Sequence, residues 1–150
     1  MRVIDEIDEL RRLTLPTLTM ESVEVNGLNL HGFDFRMMTL RDVRFLECDL
    51  SETTWLNTQF TRVTLSACSL RNAELMDLQM EESFFGAPAA LLSAEGLRLS
   101  GIRSTDLSLH LSAQGASLTN VHGTRLDLRS SDFSQAKMKA VTLRDAQLEG

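Results

Sequence analysis

The sequence predicts an all-β solenoid, a chain that turns a corner every five residues, and two ladders of residues carry that prediction. From Met20 to Phe85 every fifth residue is large and apolar: Met20, Val25, Leu30, Phe35, Leu40, Phe45, Leu50, Trp55, Phe60, Leu65, Leu70, Leu75, Met80 and Phe85. A helix repeats its apolar positions about every 3.6 residues and a half-buried strand about every 2, so this period suits neither. Two positions before each member runs a second ladder, from Val23 and Leu28 through Cys48, Thr53, Thr58 and Cys68 to Ser83, mostly apolar or small. Each pentad therefore points two residues inward and leaves the rest to solvent.

At 150 residues the chain fits one domain, and its 43% hydrophobic content is ordinary for a soluble globular protein. No apolar run approaches the roughly 18 to 20 residues that span a bilayer. The N-terminus is acidic, with Asp5, Glu6, Asp8 and Glu9, where a signal peptide would be basic and then apolar. A soluble, cytoplasmic protein without membrane contact is expected, and export without a cleavable signal stays compatible with this. Net charge is −6 and uneven: residues 1–87 hold 15 acids and 8 bases, residues 88–150 hold 6 acids and 7 bases. An acidic patch for a basic partner and a merely solvated surface both fit that split.

In chain order, residues 1–12 stand outside the pattern. Val3, Ile7 and Leu10 sit at helical spacing, acids lead, and Arg11 and Arg12 close the segment, which suits the helix dipole. A short N-terminal helix or irregular plug is expected, covering the open backbone edge of the first coil. From Leu13 the pentads run to Ala87, so residues 13–87 form a first repeat run. Leu28, Phe33, Met38 and Leu78 are bulky where the first ladder position is otherwise small, and local irregularity is expected at those coils.

Runs such as Cys48-Asp49-Leu50-Ser51-Glu52, Cys68-Ser69-Leu70-Arg71-Asn72 and Ala73-Glu74-Leu75-Met76-Asp77 point one small residue and one Leu inward. On these runs the chain resembles the pentapeptide repeat family, over residues 13–150 with one interruption. The resemblance implies a right-handed quadrilateral β-helix with four pentads per coil, hence about six to seven coils. Residues 20 apart then stack. Phe35, Trp55 and Leu75 should form one column and Phe45, Leu65 and Phe85 another. The aromatic ladder Phe35, Phe45, Trp55, Phe60, Phe85 and Phe133 is read as core, not as a cofactor box. Cys48 and Cys68 fall in adjacent coils about 4.8 Å apart, poorly aimed for a disulfide, and are read as reduced core residues.

The interruption spans residues 88–96, after Gly86-Ala87. A Pro at a helix start, helix formers after it and Gly96 at the close predict a short helix or loop. The alternative keeps the coil going with Leu92 and Ala94 inward. A second repeat run, residues 97–150, opens with Leu97 and Leu99. Its core is thinner: Ser104, Ala113 and Gly123 stand where Leu or Phe stood earlier, so Gly101 to Arg125 is the expected soft region. One step near Leu107–His110 is a residue short if Leu111 and Ala113 form the next inward pair. The array reaches Gly150 on a completed pentad, and the C-terminal coil is expected to be an interface, most simply of a two-fold dimer.

Catalysis needs groups converging in a concave site, and a filled solenoid offers flat or convex faces. His31 should face away from His122 and lie about four coils from His110, so all three histidines are read as surface residues. No zinc set and no phosphate loop is present; Gly27, Gly32, Gly96, Gly101 and Gly115 fall at pentad corners. No enzyme, cofactor or metal is expected. Arg98, Arg103, Arg125, Arg129, Lys137, Lys139 and Arg144 spread over several faces among acids, so no direct nucleic-acid contact is expected.

The resulting expectation is a non-enzymatic scaffold that binds a protein partner on a rigid rod. Contacts are expected where the pattern breaks, at Pro88, Leu91, Leu92, Glu95 and His110, and at Leu148 in the last coil. The family resemblance implies two alternatives. Some members are acidic DNA mimics that protect DNA gyrase or topoisomerase IV from inhibitors, and others serve secretion systems as effectors or accessory proteins. Against the mimic, Arg36, Arg41, Arg44, Arg62 and Arg71 punctuate the acidic faces, whereas duplex DNA carries one charge about every 1.7 Å.

Overall fold

The computed structural model describes residues 1–14 and 19–148. It begins with β1 (Arg2–Ile4) and α1 (Ile7–Thr14), then long bent strands β2 (Thr19–Asn26) and β3 (Thr39–Leu46). Short strands follow: β4 (Thr54–Leu56), β5 (Gln59–Thr61), β6 (Thr64–Ser66), β7 (Glu74–Met76), β8 (Gln79–Glu81) and β9 (Phe84–Phe85). Beyond a loop come β10 (Leu92–Ser93), β11 (Arg98–Ser100), β12 (Arg103–Thr105), β13 (Ser108–Leu109) and β14 (Leu111–Ser112), then β15 (Ser117–Thr124) and β16 (Lys137–Arg144). All pairings between these strands are parallel and in register, and they stack the chain into a quadrilateral β-helix of about seven turns.

Four inward columns define four faces. One runs Met20, Leu40, Phe60, Met80, Ser104, Gly123, Leu143, and the next Val25, Phe45, Leu65, Phe85, Leu109, Leu128, Leu148. The third runs Leu30, Leu50, Leu70, Ala94, Ala113, Phe133, and the fourth Phe35, Trp55, Leu75, Leu99, Leu118, Met138. We call them the Met20, Val25, Leu30 and Phe35 faces. Two positions after an inward residue the backbone turns with φ near +50° to +60°, at Asp42, Glu47, Asn57, Arg62, Asp77 and their equivalents. Left-handed backbone costs an L residue roughly 1 to 2 kcal/mol, so the corners hold only because stacked neighbours pair on both sides.

The aromatic columns close the core where the pentad ladder placed them. Phe35 stacks on Trp55 with centroids 4.0 Å apart and planes 10° off parallel, and Phe45 meets both edge-on. Phe35, Phe45, Trp55, Phe60 and Phe85 are buried, while Phe133, in the last coil, is only partly so. The bulky residues Leu28, Met38 and Leu78 are buried, and Phe33 packs against Phe35 at 4.6 Å. The irregularity expected at those coils is absent: residues 20 apart stay paired beside each of them, Asn29 with Asp49, Asp34 with Thr54, Thr39 with Gln59 and Gln59 with Gln79.

Inward hydroxyls and thiols at the first ladder position have a ready acceptor. Cys48, Thr58, Cys68 and Ser83 each donate to the carbonyl two residues earlier, at 2.9 to 3.3 Å. Thr53 donates to the Leu50 carbonyl at 2.6 Å and accepts from Trp55 Nε1 at 2.9 Å. Ser104 occupies the second ladder position instead, which has no such carbonyl. Its buried hydroxyl has no hydrogen-bond partner among the described residues, and a cavity of about 50 Å³ lies beside it. Gly123, next in the column, leaves space that the Leu126 side chain fills.

Two expectations change here and a third is narrowed. The N-terminal cap is a strand plus a helix: β1 pairs with β2, Ile4 is the inward residue over Val25, and Val3 is exposed. Helix α1 runs through Thr14 and buries Leu10, so the pentads start later than Leu13; residues 15–18 and 149–150 lie outside the described residues. Of the helix or loop expected after Gly86 the loop forms, and Leu92 and Ala94 turn inward beyond it as in the alternative. Ala87 and Ala90 exchange backbone hydrogen bonds in a tight loop, and the coil resumes with Leu92 and Ala94 buried. Sequence signals for a helix lost to the parallel ladder because Leu92 pairs with Leu111 and Ser93 with both Ser69 and Ser112.

Candidate functional site

The insertion and the short step meet at one corner, between the Val25 and Leu30 faces. Register shifts from 20 to 24 across the loop, as Leu65 pairs with Phe85 but Ser69 with Ser93. It shifts to 19 in the next coil, where Leu92 pairs with Leu111. That coil reaches Ala113 from Leu109 in four residues, not five. His110 occupies the shortened corner, so the ring tucks inward and its residue is 4% exposed. This corrects the surface reading of His110: removing a corner residue removes the outward turn that would have exposed it.

Around the ring the partners are polar. His110 Nδ1 lies 2.8 Å from the Arg129 carbonyl, and Nε2 lies 3.7 Å from Asp127 Oδ2. Asp127 accepts two bonds from the Arg129 guanidinium at 2.9 and 2.7 Å, which hold its carboxyl down to about 2. The His110 carbonyl accepts from Leu92 N at 3.0 Å and crowds Gly86, whose φ of +77° a side chain would strain.

The residues expected to touch a partner divide by burial. Pro88 and Leu91 are exposed on the loop, which projects Ala87, Ala89 and Ala90 as well. Glu95 accepts from Arg71 at 2.9 Å. Leu92 and His110 are buried and shape the corner from below, so neither offers a contact surface. Leu148 is 63% exposed and Met138 55%, both on inward columns that have no further coil above them among the described residues. His31 and His122 are exposed on different faces; His31 Nδ1 lies 2.9 Å from Ser51 Oγ.

Arginine–carboxylate pairs between neighbouring coils were missed from the sequence. Arg62 clamps Asp42 at 2.6 and 2.9 Å, Arg125 clamps Asp106 at 2.6 and 2.7 Å, and Arg98 reaches Glu74 at 2.8 Å. Their partners lie 20, 19 and 24 residues away, so only the first spacing matches the regular coil. The guanidinium hydrogen bonds draw the Asp42 and Asp106 carboxyls below their usual range. Each exposed pair is worth only about 0 to 1 kcal/mol, but each cancels one charge of either sign on its face.

No cluster of three or more His, Cys, Asp or Glu able to hold a metal occurs among the described residues. Cys48 and Cys68 are free and buried; their mutual contact and burial push the Cys68 thiol up, away from the reactive thiolate.

The arrangement is that of a repeat solenoid whose side chains either fill a core or display a surface. The chain belongs to the pentapeptide repeat family: eight copies of the family's repeat match, at residues 44–77 and 112–150. The stretch between those matches holds the loop and the four-residue step. Among solved structures, a trypsin-treated form of QnrB1, a plasmid-mediated fluoroquinolone resistance protein, is 14% identical over 80% of this chain and 82% of its own, with a TM-score of 0.41. Rfr23, a pentapeptide repeat protein from the cyanobacterium Cyanothece 51142, is 18% identical over 92% and 98%, with a TM-score of 0.42. No curated protein matches the sequence. Likeness at this level carries no argument about partners.

Proposed function

We propose that the chain is a non-enzymatic, cytoplasmic scaffold that presents a protein-binding surface on a rigid rod. The supporting observation is the loop at residues 86–91, an exposed apolar projection on a flat-faced solenoid whose faces carry coil-to-coil ion pairs. Loops held by a rigid frame are where binding residues concentrate. Pro88 and Leu91 are the contact residues of this reading, with Glu95 beside them. The coil-to-coil ion pairs count against a DNA mimic of the kind that binds gyrase or topoisomerase IV, since such a surface needs dense charge of one sign. No observation favours a secretion role over this one.

The test is capture of partners from lysate of the native cell by the wild-type chain and by a Pro88→Glu, Leu91→Glu variant. A partner identified by mass spectrometry and lost in the variant supports the reading. Undiminished capture by the variant removes the loop from it, and gyrase or topoisomerase subunits eluting with salt favour the mimic.

A second contact is proposed at the last coil, through a second copy of the chain. Met138 and Leu148 are exposed there, and β16 pairs on one side only among the described residues. Light scattering at micromolar concentration should give twice the monomer mass; a monomer overturns it.

A further inference from the structure

On the Met20 face the outward side chains form two rows: Gln79, Arg103, His122 and Thr142 on one side, Glu81, Thr105, Thr124 and Arg144 on the other. A groove of about 470 Å³ lies between them, floored by the backbone of Met80, Ser104 and Gly123. Arg98, Arg125 and Arg129 each find a carboxylate nearby. Arg103 and Arg144, exposed on opposite rows of the groove, have none among the described residues. Lys137 and Lys139, in the same coil as Arg144, are also exposed and without an ion pair. Before the loop Arg41 and Arg44 also lack one; after it, Arg103, Lys137, Lys139 and Arg144 are the cations without an ion pair among the described residues.

We propose that this groove binds a short, extended acidic peptide segment of a partner protein, an inference that rests on the scaffold reading and names the chemistry of what the scaffold holds. Arg103 and Arg144 lie two coils apart and on opposite rows, so their backbone positions are about 12 Å apart from strand spacing and rise. In an extended chain, side chains at i and i+4 share a face at about 13 Å. Two carboxylates at that spacing meet both guanidiniums, each a charge-assisted bond with bidentate geometry. Between them His122, Thr105, Thr124 and Thr142 supply donors and acceptors for the peptide backbone. Glu81 closes the groove on the N-terminal side and Asp77 borders the adjoining hollow beside Gly101. A nucleic acid continuing along the face would meet those carboxylates, whereas a short peptide stops before them.

The experiment is fluorescence anisotropy of a fluorescein-labelled peptide of alternating Glu and Thr, titrated with the full chain at low and moderate salt. Binding that weakens with salt, and weakens about ten-fold or more in an Arg103→Gln, Arg144→Gln variant, is the expected result. The Gln-for-Glu peptide should not bind, and Arg41→Gln, which removes an exposed arginine from the opposite end of the same face, should leave affinity unchanged. Circular dichroism of the variants should match the wild type, since the altered side chains are exposed. No binding, equal binding by the double variant, or tighter binding of a thymidine oligonucleotide overturns the proposal. If a partner is captured from lysate equally by the double variant, the groove is wrong while the scaffold stands; if no variant or wild-type chain captures any partner, the scaffold reading itself falls.

Discussion

The coils before the loop and those after it use one backbone repeat with two different interiors. From Met20 to Phe85 the columns carry four Phe and a Trp, each 2% exposed or less, under a cap made by β1 and α1. From Leu92 onward the same positions carry Ala94, Ser104, Ala113 and Gly123, and Phe133, Leu128 and Leu143 are only partly buried. The backbone ladder is as continuous in the second half as in the first. Hydrogen bonding therefore sets the shape, and apolar bulk sets how firmly each part is held. The contact candidates lie at the junction and in the thinner half, where adjusting a surface disturbs less of the core.

Trp55→Ala is the largest expected loss. It removes the ring stacked on Phe35, two edge contacts and a buried N–H bond to Thr53. Denaturant unfolding should show a destabilisation of about 3 to 5 kcal/mol, against about 2 for Leu118→Ala in the thinner half. Equal losses would mean that the two interiors are equally tight and would break the comparison.

Gly86→Ala should come next, at about 2 kcal/mol, because φ is +77° and the new Cβ meets the His110 carbonyl backbone. Hydrogen exchange locates the damage. Protection should fall in β10 to β16 and persist in β2 to β6, since the strain sits where the two halves join. Ser104→Ala should move the other way, raising stability by about 1 kcal/mol by removing an unpartnered buried hydroxyl. A loss on unfolding titration would show that the hydroxyl is satisfied after all and that the thin column is not weak at this point.

The period of five made the columns legible, since a residue's ladder position alone says whether it points in. Even Trp55 and Cys48 needed no further signal. What the ladder could not give was register beyond the loop, because a local insertion changes the stacking distance of every later residue without changing its inward or outward sense. The partners of Arg98 and Arg125 were hidden for that reason, and so was the groove, which needs Arg103 beside His122 and Thr124 beside Arg144. The short step at Leu107–His110 was visible in the sequence; its consequence was not, because burial of His110 depends on which residue the corner discards.

The smallest expected effect concerns the Asp127 carboxyl under that same corner. Arg129 hydrogen bonds, chiefly, hold it at about 2, below the ordinary 3.8. A carboxyl whose folded value is depressed contributes stability above its unfolded value and loses that contribution as pH falls through the folded one. The contribution of Asp127 is therefore whole above about pH 4 and disappears toward pH 2. Asp127→Asn should flatten the acid limb of a stability-against-pH curve in that window and cost a little at neutral pH. Asp42→Asn, at a fully solvated pair in the first half, should flatten it less, because water screens that pair from every side. If both substitutions flatten the curve alike, the His110 corner is no drier than the open faces. The buried ring would then be a packing detail, not a distinct environment at the joint between the two interiors.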